Sequence, residues 1–361
     1  MNLRYKKITI KIGSNVLTKP DGTLNVSRIA HLVDQIAQLK KLGVEIILVS
    51  SGAVAAGRSE LNIDRKLDTV SARQLYSAVG QVKLINRYAD LFQEYQITCA
   101  QVLTTKENFS DRYHYLNMKN CVSTLIENEV LPIVNENDTI SISELMFTDN
   151  DELSGMIASM QGSEALIILT NVDGIYDGNP TLSTSKVIEQ IQVNQKSWMK
   201  NIMTDKSDFG RGGMLTKSTM AQKLAKEGID VHIANGLHES MLLSLLDADQ
   251  DVKHTTFIGT ERKSSNVKKW LAHSDSFTHG ALVINEGART ALFSDRATSL
   301  LLIGVQEIRG SFRKNDILKI MDEKGEVLGW GRAQFDSSKV AANMRHEKPI
   351  IHYDYLFLKE L

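Results

Sequence analysis

The sequence predicts an α/β protein with an open, mostly parallel sheet between helices, followed by a small C-terminal β-barrel. Continuous apolar runs such as 45–50 and 165–169 alternate with helical patterns such as 26–42 over the first 236 residues. Fully apolar strands separated by helices are typical of a parallel sheet that is covered on both faces. After about Thr255 the pattern changes to short strand-like runs punctuated by glycine, which is typical of a small barrel.

The predicted elements follow one another in regular order. The helix predicted at 26–42 has apolar residues at helical spacing, and Gly43 is placed to end it. In the first part of the chain, helices are predicted at 26–42, 74–95, 113–129, 151–161 and 214–227, and strands at 8–12, 45–50, 98–103, 130–134, 165–169 and 229–234. Later strands are predicted at 281–284, 317–321, 327–331 and 350–352.

A change in composition divides the chain into two predicted domains. The segment GTERKSSNVKK at 259–269 is polar and basic, which is typical of a linker. We therefore expect a first domain at 1–255, a linker at 256–276 and a second domain at 277–361.

Composition excludes several classes of protein. The 361 residues carry a net charge of −1, so no overall basic field favours nucleic acid. Cys99 and Cys121 are too few for a disulfide framework, which fits a reduced, cytoplasmic setting. No apolar run has the length of a membrane span, and the N-terminus lacks the pattern of a signal peptide.

Polar and small residues follow the predicted strands where each strand ends. They lie at 11–14, 50–57, 135–138 and 170–174. In open α/β sheets ligands bind outside the carboxyl ends of the strands, and small-residue turns there expose N–H groups that can hold an anion. Neither a P-loop motif nor a spaced G-x-G-x-x-G is present, so nucleotide binding would use other means.

Two lysines lie next to such glycine turns. Lys11 ends the first predicted strand, where a buried lysine is costly unless it is paired. Lys217 lies in the first turn of a predicted helix, where a cation opposes the helix dipole. Two interpretations stay open for each: a solvated side chain at the surface, or a cation that faces a phosphoryl group.

Two polar blocks at 135–138 and 148–151 also have two interpretations. Asp149 or Asn150 can serve purely as a helix cap. Alternatively, the blocks bind the ammonium group of an amino acid and a metal. No histidine or cysteine cluster has zinc spacing, so any metal would be Mg²⁺ that arrives with a nucleotide.

Together these motifs resemble those of the amino acid kinase family. The resemblance covers nearly the whole chain and implies that family's fold, with ATP and Mg²⁺ as cofactors. It is closest to members that phosphorylate the γ-carboxylate of L-glutamate, and members acting on acetylglutamate or aspartate are the alternative. The motifs are the S-S-G-A-V block within 49–57, the block at 131–138, 149–151, 170–176 and G-G-M-L-T-K at 212–217.

The resemblance implies a role for individual residues and assigns none as a metal ligand. Asn171 and Arg211 depart from the family pattern, which has Asp and a small hydroxyl residue there, and this difference bears on the nucleotide contacts and not on the reaction. Lys11 and Lys217 would be the catalytic cations, oriented by Asp151. The substrate-binding residues would be Ser51, Gly52, Ala53, Asn135, Asp138 and Asn150, and the ATP-binding residues Lys11, Thr170, Asn171, Arg211, Gly212, Gly213, Met214, Leu215, Thr216 and Lys217.

The C-terminal part resembles a PUA domain. The resembling segments are 280–284, 299–304 and 305–312. PUA domains also occur on RNA-modifying enzymes, so an RNA-binding protein is an alternative of a different class. Residues 278–361 contain 12 Lys and Arg against 11 Asp and Glu, which gives no support for RNA as a substrate.

The resemblance also implies partners. The product would be γ-glutamyl phosphate, in the first step of proline biosynthesis, with L-proline as a feedback inhibitor. It further suggests a homo-oligomer, either a dimer or a tetramer, and a hand-off of the labile product to glutamate-5-semialdehyde dehydrogenase.

Overall fold

The computed structural model describes most of the chain, and its residues form two units. One unit is Met1–Lys106 with Lys119–Lys263, and the other is Glu107–Met118 with Ser264–Leu361. The predicted domain limits at residues 255 and 277 stay a prediction. The described residues are 1–61, 67–110, 112–141, 147, 149–180, 182, 184–193, 195, 198–199, 213–260, 278–294, 298–340 and 348–359.

The first unit contains an eight-stranded sheet. Among the described residues its strands are β1 (Lys7–Ile12), β2 (Glu45–Ser50), β3 (Cys99–Thr104), β4 (Leu131–Glu136), β5 (Ala165–Thr170), β6 (Gln190–Ile191), β7 (Asp230–Asn235) and β8 (Thr255–Phe257). They lie in the order β3-β4-β2-β1-β5-β7-β8-β6. Adjacent strands from β3 to β7 are parallel, whereas β8 runs antiparallel to β7. The prediction of an open, mostly parallel sheet is therefore confirmed.

The helices largely match their predicted positions. The helix predicted to begin at residue 74 begins earlier, at Thr69, because Asp68 caps it by accepting hydrogen bonds from the backbone N–H groups of Val70 and Ser71. Among the residues described, no helix has the length and apolar character needed to cross a membrane. Among the described residues up to 246, the helices are α1 (Ser14–Leu17), α2 (Val26–Lys41), α3 (Ala53–Glu60), α4 (Thr69–Gln93), α5 (Glu107–Ser110), α6 (Arg112–Glu127), α7 (Asn150–Gln161), α8 (Met214–Lys226) and α9 (Met241–Leu246).

Alternation along β1 places its side chains on the two faces of the sheet. Ile8, Ile10 and Ile12 are fully buried in one apolar cluster with side chains of α2, α4 and α9. Thr9 and Lys11 must then point to the opposite face, because successive side chains of a strand alternate. That face is covered by a second apolar cluster to which α7 and α8 contribute. Lys11 therefore lies on the same face as α7.

The second unit contains a six-stranded, mainly antiparallel sheet. Among the described residues its strands are β9 (Gly280–Ile284), β10 (Leu300–Leu301), β11 (Val305–Arg309), β12 (Ile317–Met321), β13 (Val327–Ala333) and β14 (Pro349–Leu358), with helix α10 at Glu286–Leu292. They lie in the order β10-β14-β13-β12-β9-β11, and β12 pairs with β9 in parallel. The apolar faces enclose a core that includes Leu282, Leu318 and Ile350. The four predicted C-terminal strands are confirmed as parts of β9, β12, β13 and β14.

Candidate active site

A buried aspartate lies between two lysines at the carboxyl edge of the large sheet. Lys11 Nζ is 2.7 Å from Asp151 Oδ1, and Lys217 Nζ is 2.9 Å from Asp151 Oδ2. The Asp151 side chain is only 1% exposed. The interpretation of Lys11 and Lys217 as solvated surface lysines is therefore wrong, because both ammonium groups are paired with one buried carboxylate.

Three separate elements bring these groups together. Lys11 comes from the end of β1, Asp151 from the first turn of α7 and Lys217 from the first turn of α8. The start of α7 is set by Asp149, whose Oδ1 accepts hydrogen bonds from the N–H groups of Asp151 and Glu152 at 2.9 and 3.0 Å. The predicted capping role of Asp149 is thus confirmed.

The carboxyl group of Asp151 has a strongly lowered pKa. Burial acts to raise the pKa of this carboxyl group, but the ammonium groups of Lys11 and Lys217 outweigh burial and bring the pKa to about 2. Asp151 consequently remains ionised at neutral pH, and it has two cations at once on its two oxygens. Such a carboxylate is suited to orient cations and unsuited to accept a proton from a substrate.

Asp149 has a second oxygen in a different environment. Its Oδ2 atom is buried and has no hydrogen-bond partner among the residues described. Burial, together with the charge of Asp151, raises the pKa of Asp149 to about 6. A buried carboxylate oxygen of this kind fits a hard cation such as Mg²⁺, which prefers oxygen ligands. The described part of the chain contains no cluster of three or more acidic, histidine or cysteine side chains that would hold a metal alone.

Asn150 joins two other predicted substrate-binding residues, Ser51 and Asn135. Its Nδ2 group donates to Ser51 Oγ and to Asn135 Oδ1, both at 3.0 Å. These residues come from the ends of β2 and β4 and the start of α7, so the side chains meet although the chain separates them widely. The structure brings Ser51, Asn135 and Asn150 into one polar cluster.

The turn after β2 depends on glycine. Gly52 has φ 104°, in the left-handed region that other residues rarely adopt, and it precedes the first residue of α3, Ala53. A Cβ atom at Gly52 would also meet Leu24 at 3.3 Å. The turn presents the backbone N–H groups at the start of α3 toward the carboxyl edge of the sheet, as expected for a ligand-binding loop.

Asp138 is paired with an arginine that the sequence interpretation missed. Arg73 Nη2 donates to Asp138 Oδ1 and, at 2.8 Å, to Glu136 Oε2. Arg73 lies in α4 and fell just outside the helix predicted from residue 74. An acidic pair at the end of a buried strand was the available signal, since two buried carboxylates require a cation.

The predicted nucleotide residues lie on the other side of β1. Thr170 is the last residue of β5, and Asn171 follows it. Gly213 is the N-cap residue of α8, and Met214, Leu215 and Thr216 lie in the first turn of that helix. Helix starts of this kind carry N–H groups suited to phosphate. Arg211 and Gly212 lie outside the described residues.

Asp173 was also missed by the sequence interpretation, although it lies in the motif at 170–176. Its Oδ1 accepts a hydrogen bond from Asn235 Nδ2 at 2.9 Å and lies 3.0 Å from His238 Nε2. Lys253 Nζ lies 3.3 Å from Oδ2. Burial acts to raise the pKa of Asp173, but the hydrogen bonds and Lys253 outweigh it, and the pKa is about 2. Asp173 therefore connects the loops that follow β5 and β7.

Comparison with known proteins defines the class. Residues 6–235 match the amino acid kinase family and residues 280–352 match the PUA domain. The chain belongs to the amino acid kinase family.

Within that class, the chain is 55% identical to a glutamate 5-kinase from Bacteroides thetaiotaomicron, covering 99% of this chain and 100% of that protein. It is 46% identical to a glutamate 5-kinase from Chlorobaculum tepidum, covering 98% of both chains.

Solved structures agree with this fold. The chain superposes on isopentenyl phosphate kinase with a TM-score of 0.50 at 16% identity, covering 70% of this chain and 99% of that one. It also superposes on carbamate kinase from Giardia lamblia bound to AMP-PNP, with the same TM-score and identity, covering 71% and 99%. At these identities the likeness shows the fold alone.

Proposed function

We propose that the protein transfers the γ-phosphoryl group of ATP to the γ-carboxylate of L-glutamate, the first step of proline biosynthesis. The observation that carries the proposal is the buried Lys11–Asp151–Lys217 group, which lies next to the polar cluster of Ser51, Asn135 and Asn150. The glutamate 5-kinases that resemble the chain over its full length support the choice of glutamate.

The reaction is an electrostatic problem. A glutamate side chain has a pKa of about 4.3, so the nucleophile is already ionised at neutral pH and needs no general base. A γ-carboxylate oxygen forms a bond to the γ-phosphorus, the bond from that phosphorus to the β,γ-bridging oxygen breaks, and ADP leaves with the electron pair. Two anions must approach each other, and Lys11 and Lys217 supply the charge that offsets their repulsion.

Asp151 contributes by holding the lysines. With one ammonium group on each oxygen, it keeps the two cations at a set spacing at the carboxyl edge. Because a protein carboxylate holds both ammonium groups, less reorganisation is needed when charge develops on the phosphoryl group. Asp151 acts in this proposal as a positioning residue, and the lysines contact phosphate oxygens.

Glutamate would bind in the cluster beside this group. Asp138 would pair with its ammonium group, and the polar side chains of Ser51, Asn135 and Asn150 would bind its other polar atoms. Gly52 and Ala53 would contribute backbone groups from the turn after β2. These residues lie at or just after the ends of β2 and β4 and at the starts of α3 and α7, and ligands bind at that edge in open sheets.

ATP would extend across the edge toward β5 and α8. Thr170 and Asn171 follow β5, and the start of α8 from Gly213 to Lys217 would contact the phosphates, with Arg211 and Gly212 next to it in sequence. Mg²⁺ bound with the nucleotide would offset phosphate charge, and the buried Asp149 Oδ2 is the side-chain atom that fits it best.

The assay that tests the proposal traps the product. The protein is incubated with Mg-ATP, hydroxylamine and one of L-glutamate, L-aspartate or N-acetyl-L-glutamate, and the acyl hydroxamate is measured. We expect product with L-glutamate and much less with the other two. A preference for L-aspartate or N-acetyl-L-glutamate would assign the protein to a different branch of its family, and no product with any of them would contradict the proposal.

The proposal includes inhibition by L-proline at the glutamate site. Proline carries an α-carboxylate and a secondary ammonium that can pair with Asp138, but it has no side-chain carboxylate to accept phosphate. Its ring also has less conformational freedom to lose on binding. The expected result is inhibition that rising glutamate relieves, measured at several fixed glutamate concentrations. Inhibition that is absent or insensitive to glutamate would contradict a shared site.

The partners implied by the chemistry belong to the same proposal. An acyl phosphate is labile in water, so a reductase that consumes it promptly, such as glutamate-5-semialdehyde dehydrogenase, would protect the product. A homo-oligomeric state is part of the proposal as well, and size-exclusion chromatography with light scattering measures it directly.

A further inference from the structure

Two buried hydroxyl groups lie next to the turn that follows β2. Tyr88 Oη and Ser50 Oγ are 2.8 Å apart, and both side chains are fully buried. Ser50 Oγ also donates a hydrogen bond to the carbonyl oxygen of Ser51 at 3.0 Å. Ser50 is the last residue of β2, and Tyr88 lies in α4, within the apolar cluster on the face of the sheet opposite Lys11.

The number of protons decides the direction of both hydrogen bonds. A serine hydroxyl has one proton and a carbonyl oxygen can only accept, so the Ser50 proton lies on the bond to Ser51. Tyr88 must therefore donate to Ser50 Oγ. Burial raises the pKa of Tyr88, and the hydrogen bond with Ser50 offsets only part of that rise. Tyr88 consequently keeps its proton at neutral pH and remains a donor.

These hydrogen bonds orient the peptide group between Ser51 and Gly52. The described residues contain no cis peptide bond, and in a trans peptide the C=O and the following N–H point in opposite directions. Because the Ser51 carbonyl points toward the buried hydroxyls, the Gly52 N–H points toward the other face of the sheet. That face carries Lys11 and α7. The Gly52 N–H has no acceptor among the residues described.

Neighbouring contacts place the turn at the candidate active site. The Ser51 N–H donates to the Ile12 carbonyl at 3.2 Å, so the turn adjoins the end of β1, where Lys11 lies. Asn150 Nδ2 donates to Ser51 Oγ at 3.0 Å and lies 3.4 Å from the Ser50 carbonyl oxygen. The turn therefore connects the polar cluster proposed to bind glutamate with the end of the strand that carries a catalytic lysine.

We propose that Tyr88 and Ser50 are positioning residues that hold the Gly52 N–H toward the phosphoryl group during its transfer. The inference rests on the proposed function, which places glutamate at this turn and the γ-phosphate at Lys11. A backbone N–H that is oriented in advance stabilises developing charge without reorganisation. Glycine adopts positive and negative φ with similar ease, so Gly52 does not hold the peptide by itself, and the two hydroxyls supply the restraint.

Ser50→Ala removes the hydrogen bond to the Ser51 carbonyl. We expect kcat to fall about tenfold, because removal of a donor costs about 10²–10³ and a donor that is present but not oriented should cost less. KM for L-glutamate and KM for ATP should each change less than about threefold, since the interaction that is lost forms in the transition state. An unchanged kcat, or a loss confined to KM, would overturn the inference.

Ser50→Thr is the conservative variant. It keeps the hydroxyl and suits a strand, so its kcat should stay within about threefold of the wild-type value. A folded Ser50→Thr protein with the same loss as Ser50→Ala would show that the hydroxyl is not responsible, and would overturn the inference. Thermal unfolding establishes that each variant is folded.

Tyr88→Phe tests the second hydroxyl while Ser50 stays in place. We expect kcat to fall about threefold, because Ser50 keeps its bond to the Ser51 carbonyl but loses the donor that holds its own hydroxyl. In the double variant Ser50→Ala with Tyr88→Phe, kcat should equal that of Ser50→Ala, since Tyr88 acts through Ser50. Wild-type kcat in Tyr88→Phe, or losses that multiply in the double variant, would overturn the role of Tyr88.

Tyr95→Phe is the matched control. The Tyr95 hydroxyl donates to Asp34 Oδ1 at 3.1 Å, and Tyr95 lies after the end of α4, before the amino end of β3 and away from the carboxyl edge. This variant loses a tyrosine hydrogen bond of the same kind and should keep its kcat. Equal losses of kcat in Tyr88→Phe and Tyr95→Phe would indicate a general effect on the fold and would overturn the inference.

Failure of the proposed function would give a different result. The wild-type protein would then form no acyl hydroxamate from L-glutamate. If the wild-type protein is active and Ser50→Ala has the same kcat, the proposed function stands and the positioning role of Ser50 and Tyr88 is wrong.

Discussion

Asp149 and Asp68 cap two helices in the same way but lie in different environments. Each uses Oδ1 to accept two backbone N–H groups at the start of a helix. The second oxygen of Asp149 is buried, which raises the pKa of that residue to about 6. Asp68 is exposed, and its hydrogen bonds with Ser71 lower its pKa. The charge of an aspartate cap is therefore favourable at Asp68, whereas at Asp149 burial of the charge costs free energy of folding.

We expect Asp149→Asn to stabilise the protein at pH 8 while it impairs catalysis. A carboxyl group whose pKa is raised on folding costs stability above the folded pKa of about 6, and the cost disappears below the unfolded value of 3.8. Asparagine keeps the cap and removes the charge, so the gain at pH 8 should be about 3 kcal/mol and should largely vanish near pH 4.

Urea unfolding at pH 8 and pH 4 measures this difference. Asp68→Asn is the matched control and should give no gain at pH 8, because its charge is already favourable there. A variant Asp149→Asn that is less stable than wild type at pH 8 would show that the buried charge is compensated in the folded protein.

Lys217→Ala should lower kcat by about 10²–10³ with a small change in KM for glutamate. The lysine is proposed to act on charge that develops in the transition state, and loss of one such group typically costs that much in rate. Lys226→Ala, in the last turn of the same helix and exposed, should leave kcat unchanged. Steady-state assays of both variants provide the test, and near-wild-type turnover of Lys217→Ala would contradict its catalytic assignment.

At the level of secondary structure, three helices end in the same way before the strand that follows them. These are α2 before β2, α4 before β3 and α6 before β4. In each, a residue at positive φ follows the helix: Gly43 at 85°, Gln96 at 59° and Glu129 at 62°. The next N–H bonds back to the helix, from Val44 to Leu39, from Ile97 to Phe92 and from Val130 to Leu125. This is the Schellman arrangement, in which glycine is the preferred residue at the left-handed position.

The three helix ends predict opposite effects of glycine and alanine. Gln96→Gly should stabilise the protein by about 0.5–1 kcal/mol, because it removes the steric cost of a left-handed residue with a side chain. Gly43→Ala should destabilise it by about 1 kcal/mol for the same reason. Thermal unfolding measures both. Gln93→Gly is the matched control, because Gln93 is the last helical residue of α4. It should destabilise the protein, since glycine is unfavourable within a helix. A stabilising effect of Gln93→Gly would show that glycine acts here independently of the backbone conformation.

At the scale of the whole molecule, the first sheet continues past the predicted domain limit at residue 255. Thr255 Oγ1 accepts a hydrogen bond from the Ile175 N–H at 2.8 Å. Further along, Ile258 N donates to the Ile191 carbonyl and Thr260 N to the Ala225 carbonyl. These hydrogen bonds connect β8 and the residues after it to the rest of the first unit. A truncation of the chain after Thr260 therefore keeps them, whereas a truncation near Thr255 removes them.

A protein that ends at Thr260 should fold and phosphorylate glutamate. It retains all the proposed site residues and the hydrogen bonds of β8. A shorter protein that ends at His254 should unfold at lower temperature, because it loses β8 and the bond that fixes the loop at Ile175. Hydroxamate assays and thermal unfolding of both truncations test this. A soluble but inactive 1–260 protein would show that the C-terminal residues are needed for activity or assembly.

The sequence predicts some of the residues of the candidate active site and misses others. Lys11 and Asn135 lie at the ends of apolar strands and Ser51 directly follows one, and that position alone predicts the ligand-binding edge of the sheet. Arg73 was missed because it lies 63 and 65 residues from its two partners and just before the helix as predicted. The short strands β6 and β8 were missed because two or three residues cannot show a period of two.

The class of fold, the order of its main elements and the edge at which polar residues collect can all be predicted from the chain. These follow from local patterns of apolar, glycine and capping residues. The long-range pairings are visible in the folded protein alone: Asp151 lies between Lys11 and Lys217, and Asn150 joins Ser51 to Asn135. The same is true of the cation that faces Asp138, which is Arg73. Those pairings depend on the strand order β3-β4-β2-β1-β5-β7 and on where α4, α7 and α8 lie against the sheet. Contacts between residues so distant along the chain leave no local pattern from which they can be predicted.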